Sequence, residues 1–89
     1  MVEIGEFRYD LIENYRECFD KEEFISLFTE YFHGYDYIIG DYAYNKLRLK
    51  GFYSDDNKKA KDINKISKKE EYLKNNCAYK CRYFVLKKI

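Results

Sequence analysis

The sequence predicts an α+β fold. It reads as one small domain over residues 1–89, with element order β-α-β-β-α-β, a mostly antiparallel sheet and helices packed on one face. Three observations carry this expectation. An alternating segment stands near the N-terminus, a capped amphipathic segment follows, and a continuous apolar run comes near the end. As a count of elements, the order is that of the ferredoxin-like motif. The chain is 46% hydrophobic and 20% aromatic, which supports a core and excludes wholesale disorder. Eighty-nine residues sit below the usual domain size, so a separate cofactor domain is not expected.

Each element has its own signal. From Phe7 to Leu11, apolar and charged residues alternate, which predicts a half-buried strand. Residues 12–18 either continue it or turn. Asp20 and Glu23 have capping-box spacing, and Phe19 and Phe24 have the spacing of a hydrophobic staple. Phe24, Leu27, Phe28, Tyr31 and Phe32 repeat at helical spacing, so a helix is expected over 21–33, stopped by Gly34. Residues 37–39 predict a short strand ending at Gly40–Asp41, and residues 47–53 a second. Residues 42–46 would connect the two. Residues 54–62 read as a solvated loop. Ser67 with Glu70 predicts a second capped helix, to about Asn76. Tyr83-Phe84-Val85-Leu86 has no polar side, which predicts a central strand.

Composition limits the function classes. Lys, Tyr, Ile, Phe, Asn and Met make up about half of the chain, the mark of an AT-biased bacterial or phage genome. No apolar run approaches the roughly 18–20 residues of a membrane span. The first residues lack the basic and apolar regions of a signal peptide. Three cysteines, an odd number, suit a reducing cytoplasm. Residues 1–45 carry eleven acids against three bases, while residues 46–89 carry fourteen bases against five acids. Such polarity fits either internal pairing of the halves or steering of a charged partner.

Catalytic and metal patterns find little support. Cys77 and Cys81 are one close pair, with Cys18 and His33 as distant further candidates. A structural zinc site usually has two close pairs. His33 has a structural reason to end a helix, and no glycine-rich phosphate loop or nucleophile triad is evident. The expectation is therefore no catalytic residue, no metal and no cofactor. The remaining enzymatic reading is Asp41 as a lone acid beside Tyr44 and Arg48.

The segment 35–53 is the candidate binding region. It combines Asp41 with Tyr42, Tyr44, Arg48 and Lys50, and Lys58, Lys59 and Lys61 follow. Aromatic faces beside cations suit base stacking and phosphate neutralisation. The same residues suit a protein interface, and an edge strand could join a partner sheet. A non-enzymatic regulatory or adaptor role through a protein partner is the first expectation, and RNA or another nucleic acid the alternative. The double reversal Arg48→Glu with Lys50→Glu is expected to abolish binding and spare the fold. Oligomeric state is open.

Two blocks in the chain resemble the YutD-like family of small proteins from low-GC Gram-positive bacteria. The first is Tyr35-Asp36-Tyr37-Ile38-Ile39-Gly40-Asp41 with Leu47-Arg48-Leu49-Lys50-Gly51-Phe52-Tyr53. The second is Tyr72-Leu73 with Cys77, Cys81 and Tyr83-Phe84-Val85-Leu86. The resemblance covers residues from about 7 to 89. It implies a small cytoplasmic α+β domain and carries no particular activity.

Overall fold

Four successive apolar residues cannot turn a polar side to water, and they take the middle of the sheet. The computed structural model describes residues 2–43, 45–76 and 82–89. Strand β1 spans Val2–Ile4, β2 Phe7–Tyr15, β3 Tyr37–Ala43, β4 Lys46–Phe52 and β5 Tyr83–Lys88. Helix α1 spans Lys21–Leu27 and α2 Lys69–Asn76. The sheet order is β1-β2-β5-β3-β4, antiparallel at every pairing. Phe84, Val85 and Leu86 of β5 are fully buried. The α+β class, the antiparallel sheet and the central last strand are as the sequence predicts.

Strand β1 was not expected. It pairs with β2 through Ile4↔Phe7, and Gly5 takes φ +57° in the turn between them, a conformation glycine adopts without a Cβ clash. Strand β2 runs on to Tyr15. Its register with β5 slips between Leu11 and Glu13, leaving Ile12 exposed.

The helix expected over 21–33 is a seven-residue helix followed by a 3₁₀ turn over Glu30–Phe32. Asp20 caps it by accepting from the Glu23 amide at 3.2 Å, and the Phe19 and Phe24 rings lie 5.9 Å apart as a staple. Phe28 ends it with ψ 123°, and Thr29 is also extended. The break brings the Phe28 ring to 5.8 Å from Tyr9, keeps Phe32 buried and turns Tyr31 outward. Tertiary packing therefore overrides helical periodicity here. His33 closes the 3₁₀ turn rather than an α-helix, its amide donating to the Glu30 carbonyl. Its ring lies 4.1 Å from that of Phe7, and its carbonyl accepts from Lys88 Nζ.

Alternation divides the core between the two faces of the sheet. On one face, Tyr9, Ile38, Leu47, Phe84 and Leu86 pack under Phe24 of α1. On the other, Ile39, Phe52 and Val85 pack under Tyr72 and Leu73 of α2. The two helices thus lie on opposite faces, which corrects the expectation of helices on one face. A sheet whose central strands are apolar on both sides needs cover on both. Helix α2 begins at Lys69, later than the Ser67 cap predicts. Ser67 belongs to a 3₁₀ turn, and its amide donates to Asp55.

The acidic and basic halves meet inside the fold. Lys69 Nζ bonds Glu13 at 2.6 Å, Arg48 bonds Asp41, and Lys87 stands opposite Asp10.

Candidate functional site

Strand β3 does not stop at Gly40–Asp41. Both glycine and aspartate favour turns, but here each has a tertiary reason to stay in the strand. Gly40 lies against the Phe84 ring, where a Cβ would come within 2.2 Å. Asp41 stands directly across from Arg48, because Ala43 pairs with Lys46 and the connection is only residues 44–45. Asn45 takes φ +63° in that turn. The five-residue connection expected from sequence is thus a two-residue hairpin, which sets the register of everything above it.

Asp41 is fully buried, and its Oδ2 lies 2.5 Å from the Arg48 guanidinium, whose side chain is 45% exposed. Among the described residues Asp41 Oδ1 has no hydrogen-bond partner. The carboxylate raises the Arg48 pKa still further, principally through the hydrogen bond. Tyr72 of α2 lies close enough to feel both charges, although burial is the main cause of its raised pKa. Arg48 is therefore a cation anchored from below and presented at the surface.

Lys50 points to the same face as Arg48. It lines an open cleft of about 330 Å³ between β4 and α2, with Ile63, Lys68, Glu71, Tyr72 and Asn75. Ile63 is strongly exposed at its rim. The sequence pointed to Asp41, Arg48 and Lys50 in this region. It did not point to Lys68, Tyr72 or Ile63. The Lys46-Leu47-Arg48-Leu49-Lys50 alternation was the available signal that three cations share one face.

Tyr42 is not part of this arrangement. It faces α1, where its hydroxyl donates to a Glu23 carboxylate oxygen and reaches the Cys18 carbonyl. The Arg82 guanidinium lies 4.3 Å from its ring centre. Burial and the Glu23 contact push its pKa well up. Lys58 and Lys59 are exposed on the loop after β4. Asp36 anchors that loop by accepting from the Ser54 amide and from Asn57 Nδ2. Tyr44, Cys77 and Cys81 lie outside the described residues. Cys18 is buried, and burial raises its thiol pKa. It lies near Tyr42, while His33 lies against Phe7, so these two do not form a ligand pair. Among the described residues no helix is long and apolar enough to cross a membrane.

Comparison with known proteins agrees with this architecture. The family described as "Putative antitoxin YutD-like" matches residues 3–87. The Bacillus subtilis (strain 168) protein named "Putative antitoxin YutD" is 42% identical over 89 residues, covering 100% of this chain and 98% of that protein. The solution NMR structure of protein yutD from B. subtilis superposes with a TM-score of 0.80. That match covers 97% of this chain and 78% of the other, at 42% identity. The matches span nearly the whole length, strands and helices alike, and the chain belongs to the YutD-like family.

Proposed function

We propose that this domain is a non-enzymatic binding module, and that its partner is a protein carrying an acidic segment. One observation carries this reading: buried Asp41 fixes Arg48 beside Lys50 on an edge strand, next to an open cleft with an apolar rim. Anchored cations around an apolar contact suit a protein interface. The B. subtilis relative is named a putative antitoxin. If this chain shares that role, the acidic partner is the toxin it restrains. The cytoplasm is the proposed compartment, where Cys18 stays a thiol.

The nucleic-acid alternative has less support. It needs aromatic faces open beside the cations, and Tyr42 turns away from Arg48 and Lys50 toward α1, while Tyr72 of the cleft is half-buried against Phe52.

The test is recovery of the tagged chain from its own cytosol, before and after nuclease and at high salt. One stoichiometric protein surviving nuclease, and lost in Lys50→Glu with Lys68→Glu, is expected. Material released by nuclease as RNA would overturn the reading. The reversal Arg48→Glu is unsuited to this test, because it would set a second carboxylate against buried Asp41. It would not spare the fold.

A further inference from the structure

We infer that the partner binds by adding a strand to the open edge of β4, with carboxylates at alternate positions and apolar residues between them. This rests on the protein-partner reading above.

The sheet ends at β4. Which of its backbone groups face outward follows from the bonds on the other side of β3. The Lys88 amide donates to the Asp36 carbonyl and the Tyr42 amide to the Arg82 carbonyl. Ile38, Gly40 and Tyr42 therefore turn their backbones toward β5, while Asp36 at the strand end divides its groups, its carbonyl to Lys88 and its amide to the Phe52 carbonyl. Tyr37, Ile39, Asp41 and Ala43 turn theirs toward β4. Their partners Phe52, Lys50, Arg48 and Lys46 turn inward to meet them. The N–H and C=O groups of Leu47, Leu49 and Gly51 point away from the sheet. Among the described residues no backbone group pairs with them.

The chain itself uses the next position on this edge. Tyr53 donates its amide to Asn64 and accepts from the Ile66 amide, both at 2.8 Å, in a parallel bridge. A partner strand would take over where that bridge ends and run along Gly51, Leu49 and Leu47.

Side-chain chemistry selects the occupant. Lys46, Arg48 and Lys50 line one side of the edge, and Leu47 and Leu49 the other, with Tyr35 covering Gly51. An incoming strand meets a cation at every second position on one face and apolar surface on the other. A second copy of β4 laid antiparallel would set cations against cations, and lysines on an edge strand oppose such self-pairing. An acid-apolar alternating strand removes that repulsion. The cleft beside Lys50 adds a second lysine, Lys68, with Glu71 on the same lining.

The probe is a short synthetic peptide in which glutamate and valine alternate, added to the full-length chain labelled with nitrogen-15. Amide exchange at Leu47, Leu49 and Gly51 should slow by roughly tenfold or more on saturation. N-methylating alternate peptide residues along the pairing edge should abolish this. Lys46→Glu with Lys50→Glu should shift preference to a lysine–valine peptide, and Lys46→Glu alone should weaken the glutamate peptide if the double variant does not fold. The inference is overturned if neither peptide binds, if binding leaves those three amides unprotected, or if the N-methylated peptide binds equally. Protection that rises with protein concentration alone would assign the edge to self-association and also overturn it. Those failures leave a nuclease-resistant partner standing, whereas loss of that partner to nuclease removes the protein-binding reading itself.

Discussion

Asp41 and Arg48 face each other across the β3–β4 hairpin, a carboxylate with no exposed surface bonded at 2.5 Å to a guanidinium at the surface. The charge is thus half inside and half outside the core. Replacing Arg48 with Met strands a charged carboxylate whose second oxygen already lacks a partner. Arg48→Met should lower unfolding free energy by about 3–5 kcal/mol. Adding Asp41→Asn should recover much of it. Urea denaturation of the two singles and the double measures the coupling. A loss below about 1 kcal/mol for Arg48→Met would show that the pair contributes no more than a surface bridge.

Tyr9 presents the opposite case. Its ring is fully buried against Phe24 and Phe28, but its hydroxyl has no hydrogen-bond partner among the described residues. Burial alone raises its pKa. Tyr9→Phe keeps the ring contacts and removes the unpaired hydroxyl, so it should leave stability unchanged or raise it by up to about 1 kcal/mol. A fall in thermal midpoint would mean that the hydroxyl is satisfied.

Two glycines in the sheet separate rigid from yielding neighbours. A Cβ at Gly40 would enter the buried Phe84 ring, and one at Gly51 would come within 2.3 Å of the half-buried Tyr35 ring. Both substitutions overpack. Gly40→Ala should cost at least about 3 kcal/mol, and Gly51→Ala nearer 1 kcal/mol because Tyr35 can swing outward. Denaturant midpoints of the two variants should fall in that order.

Alkaline titration reads the tyrosine pair above Gly51. The Tyr35 hydroxyl donates to Tyr31 at 3.0 Å, and this bond, with burial, pushes its pKa from 10.0 to about 12. A folded-state pKa above the unfolded one means that the neutral phenol is favoured by folding. That contribution is complete below pH 10 and is lost as pH rises toward about 12. Tyr31→Phe should move Tyr35 ionisation to lower pH, as followed by phenolate absorbance. An unchanged titration would show that burial, not the bond, sets the value.

Much of the fold was legible because some signals are local. The Phe19–Phe24 staple and the Asp20 cap each lie within six residues, and the apolar run of β5 needs only its own length to be read as central. The failures have a common cause in distant contacts. Phe28 leaves the helix to reach Tyr9, which periodicity within 21–33 cannot register. Gly40 and Asp41 carry turn chemistry, yet Phe84 and Arg48 hold them in mid-strand. That misreading lengthened the connection and hid the register that sets Asp41 directly across from Arg48, so that Asp41 read as a lone acid rather than an ion-pair partner. A turn placed at residues 44–45 would have revealed it. The division of Tyr42 from Arg48 follows once the register is known, because Asp41 stands across from Arg48 and its neighbour Tyr42 points to the opposite face.

The position of β5 also bears on synthesis. It separates β2 from β3, which do not pair with each other, and it follows the other four described strands in the chain. Until residues 83–88 emerge, the nascent chain holds two separate hairpins, each with an unpaired backbone edge toward the missing strand. Local order can form early, but closure of the sheet waits for residues 83–88. In that interval the polypeptide depends on chaperones, or on speed, to escape aggregation.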